Sequence, residues 1–433
     1  MIKPEQAQYF FANTEDAVCI ISSSGDLEYA NPSAEKLFGI SSDSGMKIWR
    51  AVPYVEGNDD LIQLFIDAVT TKIASHEAIV DYVNNEGEVH NIHVRMTCYN
   101  GDETVYLVVI TDLTQLIKVN SALVRYTSPD IADYALTTAE GQKSGGMTKN
   151  VTIMMSDLRG FTALSSRLDA ETLITVLNHY FEAMVAAIHK YRGTVIEFLG
   201  DGIFIVFGAP KDIEDHETLA VKCAVEMQKA MKEVNLWNVS NGYPELQMGI
   251  GINSGNCVVG NIGSEKKMKY GCMGSAVNIT GRLESLTIGG QIYITENTRK
   301  HISEELTVVG ESTFLPKGAP EELKYYEIEG IGDLTIGEDP VHHIVWEDYD
   351  DKDKEYLFYI LEEKKVGVKT LHGKILKLSQ DKRFALFHSE TELMEKQNIM
   401  LRHEDACIYA KVIKKDENGF VICFTSMPQT VSS

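Results

Sequence analysis

The chain contains 433 residues, of which 44% are hydrophobic and 24% are charged, and its formal net charge is −23. This length predicts two to four globular domains, and the negative charge argues against nonspecific binding to nucleic acid, whose phosphates it would repel. No apolar run approaches the ~20 residues of a membrane span, the first residues lack the order of a signal peptide, and seven dispersed cysteines indicate reduced thiols, so we expect a cytoplasmic protein without membrane insertion.

Residues 1–114 are predicted to form a first domain of strands and short helices. Two strand-like runs, at 17–21 and 27–30, precede a helix with Pro32 in its first turn. Three more such runs follow, separated by Asn- and Gly-containing turns. The stretch Glu28-Tyr-Ala-Asn-Pro-Ser-Ala-Glu-Lys-Leu-Phe-Gly39 and the ending Asp112-Leu-Thr114 resemble a PAS domain, which implies a sensory or dimerising role.

Three histidines of this domain could in principle ligate a haem: His76, His90 and His93. A histidine on a strand is more often a surface or hydrogen-bonded residue, and that is the interpretation we adopt. The residues identify no other ligand for the PAS domain. Residues 115–137 then predict a helical connector, because Leu116, Val119, Leu123 and Tyr126 recur every three or four positions, as in a coiled-coil seam.

Two aspartates organise the predicted domain of residues 138–331, in which residues 137–150 are expected to be a loop. Asp157 ends the apolar run 151–156, and Asp201 lies in a Gly-Asp-Gly turn between two further runs. Apolar residues at helical spacing separate the two aspartates, so both carboxylates can meet at one end of a sheet. Such oxygen ligands suit a hard divalent cation, although each aspartate alone could be only a turn residue.

The remainder of this domain predicts a helix over 214–234, then a strand pair, 246–253 and 257–262, around Ser254-Gly-Asn256. A helix after Gly274 and three further strands complete it, in an opening βαββαβ order that is typical of a ferredoxin-like α+β layer. An acidic linker is expected at 332–354. Residues 355–433 alternate short strand-like runs, among them 366–371 and 374–378, which predict a small β-barrel.

The barrel segment resembles a PilZ domain, but it lacks the paired arginines and the Asp-x-Ser-x-x-Gly signature that bind a cyclic dinucleotide. We therefore interpret it as a structural or interaction barrel. In the preceding domain the motifs are more specific and together resemble the catalytic domain of class III adenylate/guanylate cyclases: Ser156-Asp-Leu-Arg-Gly-Phe-Thr162, Phe198-Leu-Gly-Asp-Gly-Ile-Phe204, Gly249-Ile-Gly-Ile-Asn-Ser-Gly255, Gly260-Asn-Ile-Gly-Ser-Glu-Lys266 and Met273-Gly-Ser-Ala-Val-Asn-Ile-Thr-Gly-Arg-Leu-Glu284.

This resemblance implies a multidomain α+β protein that closes a nucleoside triphosphate to its 3′,5′-cyclic monophosphate. Asp157, Asp201 and the carbonyl of Leu158 match the ligands of two Mg²⁺ or Mn²⁺ ions per site. Asn278 would orient the ribose and Arg282 would stabilise the charge of the transition state. Backbone N–H groups as far as Phe161, and Lys317, would contact phosphates. The family implies a homodimer, in which one subunit supplies the aspartates and the other supplies Asn278, Arg282 and the base contacts.

The choice of base depends on Glu197 and Gly271. Adenylate-forming relatives place a lysine where this chain has Glu197, and a carboxylate only accepts hydrogen bonds. Guanine offers two donors to such a group, so the sequence favours GTP over ATP. A different orientation of Glu197, paired with Lys266 or Lys269, is the alternative. Two other functions stay open: an adenylate cyclase with unusual base contacts, and a catalytically weak cyclase-like scaffold.

Overall fold

A computed structural model describes residues 9–41, 45–72, 74–101, 103–165, 168–316, 321–337, 344–350, 354–362, 365–366, 369–380, 382–403 and 406–426. The chain divides into two compact units between Tyr126 and Thr127. Among the helices of these described residues, none has the length and apolar character needed to cross a membrane.

The first unit is an antiparallel five-stranded sheet with short helices. Its strands stand in the order β2-β1-β5-β4-β3, and the side chain of Asn31 fixes the start of the first helix by accepting from Ala34 N at 2.9 Å. The elements are β1 (Ala17–Ser22), β2 (Leu27–Ala30), α1 (Pro32–Phe38), α2 (Ile48–Ala51), α3 (Asp59–Thr71), β3 (Ser75–Val83), β4 (Val89–Asn100) and β5 (Thr104–Asp112).

Two of the histidines in this unit are hydrogen-bonded, as the sequence predicted. Nδ1 of His90 lies 3.0 Å from Oδ2 of Asp112, and Nε2 of His93 lies 2.6 Å from Oε1 of Glu77. The unit ends in α4 (Thr114–Tyr126). Leu116 and Val119, which belong to the predicted seam, are 66% and 65% exposed.

The second unit opens with α5 (Pro129–Thr137) and a nine-stranded sheet. The strand order β12-β13-β11-β9-β6-β8-β7 contains the ferredoxin-like arrangement β9-β6-β8-β7 that the sequence predicted. Helices α7 and α8 form its core with Tyr180, Met184 and Ile250 among the buried residues. The elements are β6 (Gly145–Leu158), α6 (Phe161–Ser165), α7 (Ala170–Lys190), β7 (Thr194–Leu199), β8 (Gly202–Phe207), α8 (His216–Ser240), β9 (Met248–Ser264), β10 (Lys267–Met273), α9 (Ser275–Leu286), β11 (Ile292–Thr295), α10 (Glu296–Arg299), β12 (Leu306–Phe314) and β13 (Leu323–Ile331).

Two predictions for this sheet were wrong. The expected loop 137–150 is in part strand, because β6 begins at Gly145. The expected strand pair around Ser254-Gly-Asn256 is one continuous strand, β9, which pairs with β6 along its length and sets Gly255 opposite Val151. A Cβ on Gly255 would lie 3.2 Å from Cβ of Ala276, so this glycine makes room for α9 instead of forming a turn.

Residues 346–426 contain the predicted barrel. Strands β18-β19-β22-β21-β20-β16 follow one another, and pairing of β16 with β18 closes the ring. The predicted strand 374–378 is confirmed as part of β18, but the break between it and a separate strand 366–371 was wrong. β18 begins at Leu371 and runs through Gly373, which leaves space for the ring of Phe387, 2.2 Å from where a Cβ would be. The ninth strand of the preceding sheet is β14 (Leu334–Thr335), which pairs with β13. The elements of the barrel region are β15 (Trp346–Asp348), β16 (Glu355–Glu362), β17 (Lys365–Val366), β18 (Leu371–Ser379), β19 (Phe384–Ser389), β20 (Asn398–His403), β21 (Ala406–Asp416) and β22 (Gly419–Ser426).

Candidate active site

The two aspartates lie at the same end of the sheet. Strands β6 and β8 are neighbours, and Ser156 pairs with Ile203. A Cβ on Gly202, the residue after Asp201, would lie 3.2 Å from Oδ1 of Asp157. The carboxylate of Asp157 therefore lies beside the turn that carries Asp201, and glycine at 202 keeps this space open.

A buried tyrosine lies close to both carboxylates. The Tyr180 side chain is fully buried, and its hydroxyl donates to Sδ of Met248 at 3.3 Å. Burial raises the pKa of Tyr180, and the negative charges of Asp157 and Asp201 raise it further. Because both charges act on one hydroxyl, the pair concentrates negative charge in one small region, as a cation site requires.

The donor set fits a divalent cation of the magnesium type. Such an ion is commonly bound through one or two carboxylates together with substrate phosphates and water, and here Asp157 and Asp201 would supply the carboxylates. The described residues contain no group of three or more His, Cys, Asp or Glu side chains that could hold a metal without substrate. Backbone oxygen such as that of Leu158, triphosphate and water would have to complete the coordination.

A short helix follows the first aspartate. α6 begins at Phe161, directly after Gly160, whose φ of +70° only glycine adopts without strain. Phe161 packs against the main core of the domain. Its side chain therefore anchors the segment 158–161, and only its backbone is available for a phosphate.

The outward face of α9 carries the predicted amide and guanidinium. Asn278 and Arg282 are exposed and one helical turn apart, so they project from the same face, while Ala276, Thr280 and Leu283 are buried. Glu284 contacts Arg159 and not Arg282. Within the described part of the chain, neither Asn278 nor Arg282 has a side-chain hydrogen bond or ion pair.

Sequence reasoning missed the cluster at the C-terminal end of α9. The guanidinium of Arg159 is 12% exposed, contacts the carboxylate of Glu284 and lies 3.9 Å from Oδ2 of Asp157. It also donates to Oγ1 of Thr287 at 3.1 Å. Gly249 makes this possible, since a Cβ there would lie 1.9 Å from Oγ1 of Thr287. The available signal was an Arg and a Glu at fixed places in two of the quoted motifs.

The two base positions lie on different strands: Glu197 is on β7, which pairs with β8, and Gly271 is on β10, which pairs with β9. Nζ of Lys269 lies 2.5 Å from Oε1 of Glu197, and both side chains are about half exposed. The alternative pairing left open by the sequence is therefore present. An exposed pair of this kind contributes only ~0–1 kcal/mol, so it can be displaced by a stronger ligand. Lys317 lies outside the described residues.

Comparison with known proteins identifies the two main domains. Residues 145–330 match the family described as the adenylate and guanylate cyclase catalytic domain, and residues 15–115 match a PAS domain. The chain belongs to the class III nucleotidyl cyclases. Members of this class generally depend on divalent metal ions.

Curated relatives of this class III cyclase include adenylate cyclase 1 of Rhizobium meliloti, which is 28% identical over 42% of this chain and 28% of the relative. Adenylate cyclase of Anabaena cylindrica is 29% identical over 42% of this chain and 37% of the relative. The chain thus spans about a third of the length of these curated relatives.

Similar solved structures include the guanylyl cyclase Cya2, which is 45% identical over 45% of this chain and 100% of that one, with a TM-score of 0.44. The adenylyl cyclase CyaB from P. aeruginosa is 33% identical over 43% of this chain and 96% of that one, with a TM-score of 0.40. Relatives of both base types are therefore present.

Proposed function

We propose that this protein is a guanylate cyclase that converts GTP to 3′,5′-cyclic GMP and pyrophosphate. The observation that carries the base assignment is the carboxylate of Glu197 on β7, which its contact with Lys269 brings close to β10, the strand of Gly271. A carboxylate accepts the N1–H and 2-amino donors of guanine. Gly271 adds no side chain that could receive the amino group of adenine. The names of the relatives fall on both sides, so the assignment rests on these residues.

In the proposed reaction the 3′-hydroxyl of GTP gives its proton to water and its oxygen bonds to the α-phosphorus. The bond from that phosphorus to the oxygen that bridges it to the β-phosphorus breaks, and pyrophosphate leaves. Asp157 and Asp201 would hold two Mg²⁺ or Mn²⁺ ions, which supply Lewis-acid activation of the 3′-hydroxyl and charge neutralisation on the triphosphate. Asn278 holds the ribose. Arg282 donates to the oxygens that gain charge, an interaction made most strongly in the transition state.

The proposed site is shared between the two subunits of a homodimer. Asn278 and Arg282 have no side-chain partner in the described part of their own chain, which supports a second chain as the source of what they contact. The exposed Leu116 and Val119 support a helical contact that could report a PAS signal to the catalytic domains. In such dimers a rotation or shear of the subunits alters how the two halves of each site meet.

A second candidate is adenylate cyclase activity, which one observation favours. The ammonium of Lys269 lies at the base position, 2.5 Å from Glu197, and a lysine is the donor that adenine N1 requires. If Lys269 and not Glu197 faces the base, ATP is the better substrate.

The test is an assay of the purified full chain with Mg²⁺ or Mn²⁺ and GTP or ATP. We expect kcat/KM for GTP to exceed that for ATP at least tenfold, since one hydrogen bond to a charged group is worth ~1.5–3 kcal/mol. Glu197→Lys should remove that advantage. Lys269→Met, the matched control at the partner of Glu197 on β10, should leave GTP turnover intact and weaken ATP turnover. Preference for ATP would contradict the base assignment, and the absence of any cyclic product would contradict the function.

A further inference from the structure

The barrel contacts the C-terminal end of α9. Lys411, on β21, is 2% exposed. Its Nζ donates to the carbonyl oxygens of Ser285 and Thr287, each at 2.8 Å. The last carbonyls of a helix have no partner within the helix, and a cation suits the negative end of the helix dipole. A lysine 124 residues away in the chain therefore completes this helix end.

The surroundings of Lys411 are closed and largely apolar. Ile288, which follows the helix, is fully buried and packs with the barrel residues Ile413 and Val421. Beside them, the ammonium of Lys396 contacts the Tyr293 hydroxyl and lies 5.0 Å from the centre of its ring. A charged or polar group is costly to bury without hydrogen bonds, so the two carbonyls are what makes this lysine tolerable.

The electrostatic surroundings of Lys411 disfavour its charged form. Burial, followed by the positive charges of Arg159 and Lys396, keeps the pKa of Lys411 well below its usual value, while the carboxylate of Glu284 acts in the opposite direction. The same Glu284 contacts Arg159. Lys411 thus belongs to one group of charges that encloses the end of α9.

This group reaches the metal side of the proposed site. Arg159 donates to Thr287 Oγ1 at 3.1 Å, and its other terminal nitrogen lies 3.9 Å from Oδ2 of Asp157. Thr287 is also one of the two residues whose carbonyl accepts from Lys411. A continuous set of contacts therefore runs from the barrel, through the end of the catalytic helix, to a proposed metal ligand.

We propose that Lys411 is a positioning residue for catalysis, which fixes the C-terminal end of α9 and thereby the placement of Asn278 and Arg282. Lys411 does not lie among the residues proposed to touch substrate and acts only through the helix. The barrel is in this view an integral part of the catalytic unit and not an independent module. The inference rests on the proposed cyclase function for its kinetic consequence, but not for its structural one.

The experiment compares full-length Lys411→Met with Lys415→Met. Lys415 is on the same strand but 64% exposed and paired with Glu392, which makes it the matched control. We expect Lys411→Met to lower kcat for the preferred triphosphate about 10- to 100-fold, because small misplacements of catalytic groups have effects of this size, with KM changed less than twofold. Amide hydrogen exchange of residues 283–291 should accelerate at least tenfold. Lys415→Met should change none of these.

Wild-type kcat in a folded Lys411→Met protein would overturn the proposal, and so would a loss of kcat without faster exchange at the end of α9. If Lys411→Met does not fold, the same measurements are made on Lys411→Gln. The glutamine amide keeps an N–H donor, but its side chain is too short to bind both carbonyl groups. A wild-type chain that forms no cyclic nucleotide would overturn the proposed function alone. The exchange measurement would still show whether Lys411 holds the helix end.

Discussion

The outward face of α9 and the C-terminal end of the same helix differ in what surrounds them. On the face, Asn278 and Arg282 are exposed and have no side-chain partner in the described residues. At the end, Glu284, Thr287 and Ile288 are enclosed by Arg159 on one side and by the barrel on the other. Both sets of residues lie within the 11 consecutive positions 278–288.

This difference separates groups available for chemistry from groups that hold the helix. An exposed polar side chain is solvated by water and stays available to a ligand, whereas buried polar groups are normally satisfied within the fold. We therefore expect substitutions on the face to reduce activity with little loss of stability. Substitutions at the end should reduce stability first and activity as a consequence.

The largest expected effect is a loss of activity when a residue in either half of the proposed shared site is replaced. Asp157→Ala and Arg282→Ala should each lower activity at least ~100-fold. A 1:1 mixture with exchanged subunits should recover about a quarter of wild-type activity, because half of the dimers are mixed and each has one intact site of two. The measurement is cyclic-nucleotide formation after subunit exchange.

The control for this experiment is a mixture of Asp157→Ala with Asp201→Ala. Both changes affect the same half of the proposed site, so every mixed dimer lacks an intact site and no activity should return. If the first mixture also stayed inactive while mixed dimers were demonstrated, the shared site would be wrong, and the exposed face of α9 would need another explanation.

A smaller effect is expected at the enclosed end. In Gly249→Ala the new Cβ would lie 1.9 Å from Oγ1 of Thr287 and 2.7 Å from Nη2 of Arg159. Overpacking of this kind costs about 1–3 kcal/mol, so the temperature of unfolding of the catalytic domain should fall. Gly255→Ala, whose nearest neighbour is Cβ of Ala276 at 3.2 Å, is the matched control. Equal losses in the two variants would show that the Arg159 cluster is not specially constrained.

The smallest expected effect is on the free energy of unfolding when one hydroxyl group is removed. Thr287→Val keeps the shape of the side chain but removes the donor to Glu284 O and the acceptor for Arg159, which should cost ~1 kcal/mol in the free energy of unfolding. Ser285→Ala removes a hydroxyl that bonds the Arg282 carbonyl on the exposed side and should change stability by less than ~0.5 kcal/mol. The comparison fails if denaturant unfolding gives the reverse order.

The sequence predicted those parts of the fold that depend on local pattern. The strand ends at Asp157 and Asp201 follow from apolar runs bounded by glycine, and the ferredoxin-like order follows from the alternation of strand and helix periods. The start of the helix after Asn31 followed from the proline in its first turn.

The sequence did not predict features that depend on distant partners. Ser254-Gly-Asn256 has the composition of a turn, but its glycine leaves space for Ala276 on a helix that packs over the strand. Gly373 likewise leaves space for the ring of Phe387. Lys411 has no local signal at all: an isolated lysine on a strand reads as surface, and only the docked helix end explains its burial.

The bond from Lys411 to Thr287 also has a consequence for the order of events during synthesis. The 124 residues between them take about 6–25 s to emerge at ordinary rates of translation. During that interval the carbonyl groups at the C-terminal end of α9 are still without the lysine that will bind them. A nascent chain that stalls within the barrel therefore already contains the residues of the proposed site. The end of α9 in that chain still lacks its contact with Lys411.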